Sequence, residues 1–304
     1  AGGHVKRWHA LFPDRRPAEE VKKYLNRRLK NKNITVINNT SVNRIRHHGH
    51  SLTVETSAGD SINADAVIVA TGFDLFDAAR KEEYGYGIYN NVITAPELED
   101  KFNNDAIFTM DGRKPARIGF VHCVGSRDEK VCNHYCSKVC CVTAVKQAIE
   151  VREKLPDSEI FCFYMDMRMF GPYYEELYRE AQEIHNINFI RGKVSEASNT
   201  INGRVAVKVE DTLAGRPLKM ELDMLVLMTG MEMSRSGIKL AEASGLATGK
   251  NRFLNVSDNH VHSNRSNVHG VFYAGTCTAP MNITDTISHA RAAVMETVNY
   301  LSKL

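Results

Sequence analysis

The sequence contains no run of about eighteen apolar residues, no long block of basic charge and no hydrophobic leader near its start. We therefore expect neither a membrane-spanning helix nor a secretion signal in this chain. Lys and Arg number 39 against 36 Asp and Glu, a net charge of +3, so bulk charge does not favour nucleic-acid binding. The 304 residues are 43% hydrophobic and 25% charged, which is typical of a globular chain of about two domains.

Cysteine is scarce, and its distribution is uneven. The chain has seven cysteines, and five of them fall within residues 123–141, at Cys123, Cys132, Cys136, Cys140 and Cys141. An odd count without a secretion signal does not favour a disulfide framework. The clustering therefore indicates an iron–sulfur centre, a zinc site or redox-active thiols.

Two segments repeat one pattern of an apolar strand, a hairpin and a buried strand that ends in Thr-Gly. The first copy covers residues 34–72, beginning with the strand 34–37, and the second covers residues 187–230. Between them, strands are predicted over residues 116–121 and 159–165, and each is followed by a predicted helix, over residues 136–154 and 174–184. Alternation of this kind predicts an α/β fold with a parallel sheet, and a last helix is predicted over residues 286–304.

The motifs together resemble those of the family formed by the A subunits of heterodisulfide reductases. The resemblance is carried by HCVGSRD at 122–128, YCSKVCC at 135–141, FGPYYEE at 170–176, and AGTC at 274–277 with Pro280 and ITD at 283–285. The chain lacks the further ferredoxin-type cysteine motifs of the long family members. It is therefore most similar to the short members, such as the A subunit of the quinone-interacting membrane-bound oxidoreductase complex (the QmoA type).

The resemblance implies a thioredoxin-reductase-like flavoprotein with two dinucleotide-binding domains. Residues 1–112 are expected to be the first part of the FAD-binding domain, 113–235 the second domain with the cysteines, and 236–304 the return to the FAD-binding domain. Gly2-Gly3 would be the second glycine element of the FAD domain. The first βαβ unit, with its glycine-rich phosphate loop, is therefore expected to be missing from this chain.

The family pattern also implies which residues contact FAD. Glycines after parallel strands let the backbone approach a cofactor, and a helix N-terminus directs N–H groups at phosphates or at the flavin. Cys277 either approaches the flavin or is only a small turn residue. The implied FAD-binding residues are Gly2, Gly3, Val42, Thr71, Gly72, Gly275, Thr276, Cys277, Ile283 and Thr284.

For the cysteines, the resemblance implies a [4Fe-4S] cluster ligated by Cys123, Cys136, Cys140 and Cys141. The i,i+4 spacing puts Cys136 and Cys140 on one face of a helix, whereas Cys141 would point about 100° away. Either the helix starts or distorts there, or Cys132 replaces Cys141. The mixed-charge run at 127–130 is expected to be a solvated face, although the resemblance puts it beside the cluster.

The turn after the strand at 118–121 lacks the Gly-x-Gly-x-x-Gly fingerprint of a nicotinamide site. Our hypothesis is that a cluster has replaced that site, so that electrons pass between flavin and iron–sulfur. The resemblance further implies that Lys146 reaches the flavin as a catalytic residue and stabilises negative charge on its reduced ring. The alternative is a solvated helix lysine.

The predicted function is that of an FAD and iron–sulfur electron-transfer subunit, an oxidoreductase that works within a heterodisulfide-reductase-like or quinone-interacting complex. It would be cytoplasmic and reach the membrane only through partner subunits, and homodimerisation is left open. One alternative is an NAD(P)H-dependent flavin disulfide reductase, which would need a redox cysteine pair and a second glycine fingerprint. The other is a non-catalytic scaffold subunit that retains the fold.

Overall fold

The computed structural model describes residues 2–30, 33–49 and 51–304. Its strands are β1 Ala10–Leu11, β2 Arg16–Pro17, β3 Val42–His48, β4 Ser51–Thr56, β5 Ser61–Ala64, β6 Val67–Val69, β7 Phe73–Leu75, β8 Val92–Thr94, β9 Arg117–Val124, β10 Glu159–Tyr164, β11 Asn188–Arg191, β12 Val194–Asn199, β13 Val205–Asp211, β14 Arg216–Leu222, β15 Met224–Thr229, β16 Met231–Met233 and β17 Val271–Tyr273. Its α-helices are α1 Ala18–Arg28, α2 Ala95–Asn103, α3 Cys140–Lys154, α4 Tyr174–Glu183, α5 Arg235–Ser244 and α6 Ile283–Leu301. None of the helices in these ranges combines the length and apolar content that crossing a bilayer requires.

The chain divides into two units, each built from two stretches of sequence. Unit 1 comprises Ala1–Ile34 and Phe76–Gly230, and unit 2 comprises Thr35–Leu75 and Met231–Leu304. The assignment of cofactor roles to residues 1–112, 113–235 and 236–304 stays a prediction.

Unit 1 is organised around a parallel sheet in the order β11-β10-β9-β15-β8. Its central strands are buried on both faces, which explains the continuous apolar run of β15. Phe120 and Val226 belong to the core shared with α2, α3 and α4. Val121 and Leu225 belong to a second core, shared with the antiparallel sheet β12-β13-β14. The result is a sheet covered on both faces.

The parallel arrangement brings the carboxyl ends of β9, β10 and β15 to one edge of the sheet. After β9 the chain runs through a cysteine-bearing loop, residues 125–139, into α3. After β10 it runs through a second loop, residues 165–173, into α4. Ligand sites in α/β sheets lie at this edge.

Unit 2 contains an antiparallel sheet β3-β4-β5, a parallel pair β6-β17 and an antiparallel pair β7-β16. Helix α5 is tied to β3, because the hydroxyl of Ser244 accepts the Ile45 N–H at 2.9 Å. After β17 a 3₁₀ turn, Gly275–Cys277, leads toward α6.

The predicted repeat is confirmed in its main features. In each copy a three-stranded antiparallel sheet precedes a strand that pairs in parallel, β6 in the first copy and β15 in the second. The strand predicted over residues 34–37 is wrong. Ile34, Val36 and Ile37 are 45%, 52% and 55% exposed, and this run lies in none of the sheets of the described chain. Without a neighbouring strand, an apolar run has no ladder to join.

Gly125 allows the cysteine-bearing loop to close against the core. Its φ is +74°, and a Cβ at this position would lie 2.0 Å from Cγ of Phe76, a residue only 2% exposed. Phe76 is part of the core shared with β12-β13-β14 and cannot easily move aside. Gly125 is therefore required both for its backbone conformation and for the close approach.

We predict that Gly125→Ala lowers the free energy of unfolding by about 2–4 kcal/mol, from left-handed strain plus overpacking. Gly203→Ala is the matched control, since Gly203 has φ +72° but nothing within 4 Å of its Cβ position. The control should lose only about 1 kcal/mol. Urea unfolding of both variants measures the difference, and equal losses would contradict the packing role of Phe76.

Candidate functional site

Cys123 lies near the end of β9, at the carboxyl edge of the parallel sheet of unit 1. Its φ is +59°, a left-handed conformation that costs a residue with a side chain about 1–2 kcal/mol. The residue is 6% exposed. A strained and buried cysteine at this edge is a candidate for function.

Helix α3 begins at Cys140, so the expectation that Cys136 and Cys140 share a helical face is wrong. Residues 136–139 form an irregular segment, in which Lys138 is left-handed with φ +60°. Cys140 and Cys141 therefore occupy the first two helical positions. There the helix dipole favours negative charge, and Cys141 belongs to the first turn of the helix because the helix starts at Cys140.

The thiols of Cys123, Cys136, Cys140 and Cys141 lie near one another. Every pair among the four is close enough for its charges to interact. Burial raises the pKa of Cys123 to about 12 and that of Cys141 to about 11, and neighbouring thiols contribute to both shifts. Burial likewise raises the pKa of Cys140 well above its ordinary value. Cys132 is exposed, left-handed with φ +58°, and not among these neighbours.

Within residues 2–30, 33–49 and 51–304, no group of three or more His, Cys, Asp or Glu is arranged to hold a metal ion. A mononuclear zinc site would need its donor atoms around one point. A [4Fe-4S] cluster instead gives each thiolate its own iron, so its four sulfurs stand farther apart. In donor type and number, the four neighbouring thiols fit a [4Fe-4S] cluster.

Backbone groups and the loop after β10 surround the thiols. The Lys138 N–H donates to Sγ of Cys136 at 3.3 Å. The Arg168 N–H donates to the Cys141 sulfur and lowers its pKa, and that Sγ lies 3.8 Å from the carbonyl oxygen of Asp166. Sequence reasoning missed Asp166 and Arg168. The sequence did contain a signal for them. Neighbouring parallel strands end at the same edge of a sheet, so the residues after β10 were to be expected near the end of β9.

A buried ion pair anchors the cysteine-bearing loop. Lys81 and Asp128 are 1% and 4% exposed, and Nζ of Lys81 lies 2.7 Å from Oδ2 of Asp128 and 2.7 Å from Oε1 of Glu83. The Asp128 backbone forms a bridge with Asn133 inside the loop. The expectation that residues 127–130 form a solvated face is therefore wrong for Asp128.

In unit 2, the parallel pairing of β6 and β17 brings two predicted FAD motifs together. Thr71-Gly72 follows β6, and Gly275-Thr276 follows β17. Gly72 has φ +69°, and a Cβ there would lie 3.9 Å from Oγ1 of Thr276. Oγ1 of Thr71 is buried and has no hydrogen-bond partner among the described residues. A buried hydroxyl without a partner, beside two glycine turns, fits a bound polar ligand.

The remaining predicted FAD residues lie in different places. Ile283 and Thr284 open α6, whose N-cap Asn282 accepts the Asp285 N–H at 2.7 Å, so the helix starts earlier than the predicted residue 286. Val42 opens β3 and is 41% exposed. Gly2 and Gly3 belong to unit 1, where Gly3 begins a 3₁₀ turn.

Cys277 is enclosed within unit 2. The residue is 0% exposed, its thiol donates to the carbonyl oxygens of Val69 and Ala274 at 3.4 Å, and burial raises its pKa to about 11. Between the two interpretations left open for this residue, these contacts favour the small turn residue. A protonated, hydrogen-bonded thiol is a poor nucleophile.

Sequence reasoning also missed His289, which stabilises the Gly275 turn from α6. Its Nδ1 accepts the Gly275 N–H at 2.9 Å, so its Nε2, 3.1 Å from the carbonyl oxygen of Ser263, carries the proton. A lone histidine on a C-terminal helix carries no signal of this role.

Lys146 is buried in unit 1, so the alternative of a solvated helix lysine is wrong. The residue is 1% exposed, and its Nζ lies 2.5 Å from Glu99, 3.0 Å from Glu150 and 3.0 Å from the carbonyl oxygen of Ala10. Burial raises the pKa of Glu150, and the positive charge of Lys146 opposes that shift. Gln147 also donates to Glu99, at 2.7 Å.

A sequence model of the family described as "Pyridine nucleotide-disulphide oxidoreductase" matches residues 7–110 and 162–297. The unmatched interval between them contains β9, the cysteine-bearing loop and α3. The four neighbouring thiols and Lys146 therefore lie in the part of the chain that departs from the general family pattern.

Two curated relatives are A subunits of heterodisulfide reductases. The chain is 40% identical over 242 residues to the A subunit of the H(2)/formate:CoB-CoM heterodisulfide,ferredoxin reductase of Methanococcus maripaludis, covering 77% of this chain and 36% of that protein. It is 40% identical over 241 residues to the iron-sulfur A subunit of the CoB–CoM heterodisulfide reductase of Methanocaldococcus jannaschii, covering 76% and 36%. The chain thus spans about a third of the length of these relatives.

Among solved structures, thioredoxin reductase from Lactococcus lactis is similar, with a TM-score of 0.67 at 16% identity over 100% of this chain and 88% of that one. At this identity the likeness shows the fold alone. Together with the family match, it confirms the predicted fold class, an α/β flavoprotein fold with two dinucleotide-binding domains.

We predict that Lys146→Met lowers the free energy of unfolding by about 3–5 kcal/mol, because it leaves Glu99 buried without its cation. Lys154→Met is the matched control on the same helix, since Lys154 pairs with an exposed carboxylate, Asp105. That change should cost far less, because solvent screens an exposed ion pair. Chemical unfolding of both variants makes the comparison, and a small loss in Lys146→Met would contradict the buried pair.

Proposed function

The chain belongs to the pyridine nucleotide-disulphide oxidoreductase family, and from that premise we propose that it is an electron-transfer subunit of the heterodisulfide reductase type, equivalent to the A subunit and carrying FAD and a [4Fe-4S] cluster. The observation that carries the proposal is the set of four mutually neighbouring thiols at the carboxyl edge of the unit 1 sheet. Family membership makes the chain an oxidoreductase.

Cys123, Cys136, Cys140 and Cys141 would hold the cluster. The start of α3 supports this, because the helix dipole at Cys140 and Cys141 offsets the negative charge of thiolates. The N–H donors of Lys138 and Arg168 do the same for Cys136 and Cys141. Cys132 stays outside the proposed ligand set, since it is exposed and does not interact electrostatically with the other four cysteines.

FAD would be held by Thr71, Gly72, Gly275 and Thr276, with Gly2, Gly3, Val42, Ile283 and Thr284 as further predicted contacts, whereas Cys277 would only complete the turn after β17. When bound, FAD supplies two-electron exchange with one partner and one-electron exchange with an iron–sulfur centre. The unpartnered Oγ1 of Thr71 and the left-handed Gly72 support a polar ligand at this position in unit 2. His289 would fix the Gly275 turn through its backbone hydrogen bond.

The turn after β9 stands where a nicotinamide-binding domain would cradle its cofactor. After β9, the hydroxyls of Ser126 and Ser137 are hydrogen-bonded at 2.5 Å, and Gly125 lies against Phe76. The turn is filled by packed side chains rather than by a glycine-rich phosphate loop. This supports a cluster site in place of a nicotinamide site and disfavours an NAD(P)H-dependent disulfide reductase.

The names of the relatives support a role inside a multi-subunit complex, since each name describes one subunit of a reductase. We propose that partner subunits of a heterodisulfide-reductase-like or quinone-interacting complex, of the QmoA type, supply the other redox sites. Cytoplasmic location and membrane association through those partners belong to the same proposal.

We expect the wild-type chain, reconstituted anaerobically, to bind about four irons per chain. Cys141→Ala should bind fewer and lose the visible iron–sulfur absorption, because one ligand is missing. Cys132→Ala is the matched control, since Cys132 is an exposed cysteine of the cysteine-bearing loop, and it should retain the wild-type iron content. Iron analysis and anaerobic absorption spectra measure both variants. If Cys132→Ala lost its iron while Cys141→Ala kept it, Cys132 rather than Cys141 would be the fourth ligand.

We propose that the positive charge of Lys146 stabilises negative charge on the reduced ring of the flavin. Lys146→Gln, which removes the cation, should lower the flavin midpoint potential in an anaerobic titration followed by flavin absorbance, whereas Lys146→Arg should change it less. An unchanged potential in folded, flavin-loaded Lys146→Gln would limit Lys146 to its structural pair with Glu99.

A further inference from the structure

A salt bridge joins the two loops that surround the four thiols. Arg127 lies in the cysteine-bearing loop, between Cys123 and Cys136, and its guanidinium is hydrogen-bonded through two nitrogens to the carboxylate of Asp166, one of these bonds being 3.0 Å long. Asp166 lies in the loop after β10, and its carbonyl oxygen is 3.8 Å from Sγ of Cys141. The Arg127–Asp166 salt bridge therefore connects two segments that each contact the thiols.

The two charges of this salt bridge act on the thiols in opposite directions. The guanidinium of Arg127 and the carboxylate of Asp166 both lie close enough to Cys123 and Cys141 to interact with them electrostatically. Arg168 also pairs with Asp166, with its Nε 3.2 Å from Oδ1. The three side chains of Arg127, Asp166 and Arg168 together carry a net positive charge beside the thiols.

We propose that Arg127 and Asp166 set the reduction potential of the cluster, with Arg127 raising it and Asp166 lowering it. This inference rests on the proposed function, because it needs a cluster at the four thiols. One-electron reduction adds a negative charge to a cluster, and a nearby cation stabilises that charge while an anion opposes it. Arg127 is thus a positioning residue. It acts through its charge and through its salt bridge to Asp166 in the loop after β10.

The test is a redox titration of the anaerobically reconstituted chain, in which the spectrum of the reduced cluster is followed by electron paramagnetic resonance. Arg127→Gln should shift the midpoint potential downward, and Asp166→Asn should shift it upward. Arg113→Gln is the matched control, since Arg113 pairs with an exposed carboxylate, Asp111, outside both loops. Its potential should equal that of the wild type.

Opposite shifts support the inference, because a merely structural loosening of the loops would move both variants in the same direction. An unshifted potential in either variant, or shifts of the same sign, overturns it. If Arg127→Gln does not retain its cluster, Asp166→Asn decides alone and must raise the potential. If the wild-type chain binds no cluster, the proposed function fails and takes this inference with it, whereas a cluster with unshifted variants overturns this inference only.

Discussion

Four thiols lie near one another at the carboxyl edge of the unit 1 sheet, and as thiolates they would repel one another strongly, because three of the four cysteines are buried. Burial and mutual repulsion both raise the pKa values of Cys123, Cys140 and Cys141. Much of the surrounding structure offsets that repulsion: the start of α3, two backbone N–H donors and the guanidinium of Arg127. A metal centre bound by all four would replace their protons and remove the conflict.

The loop between Cys123 and Cys136 is held at several points by buried contacts. Lys81 pairs with Asp128, Gly125 closes on Phe76, and Asn133 donates to the Gly125 carbonyl at 2.9 Å. These contacts are all made between residues of the chain, and together they fix the loop. The same fold position that cradles a nucleotide in dinucleotide-binding domains thus presents thiols here.

The sequence predicted the features that depend on patterns spanning many residues. The doubly buried β15, the alternation of strands and helices and the repeat of a hairpin with a strand that ends in Thr-Gly all follow from hydrophobic periodicity. Local boundaries were less predictable. Residues 34–37 look like a strand, but no strand within the described part of the chain pairs with them. Helix α3 starts at Cys140 because a left-handed Lys138 interrupts any earlier helix. The contacts of Lys81, Asp166 and His289 join residues distant in sequence, so no local pattern announces them.

The central claim is that the four thiols hold one tetranuclear iron–sulfur cluster. Mössbauer spectroscopy of the chain reconstituted anaerobically with ⁵⁷Fe tests it most directly, because it distinguishes iron in clusters from isolated iron. The predicted result is a spectrum dominated by one [4Fe-4S] centre. A spectrum of mononuclear iron only, or a protein that takes up zinc and no iron under the same conditions, would contradict it.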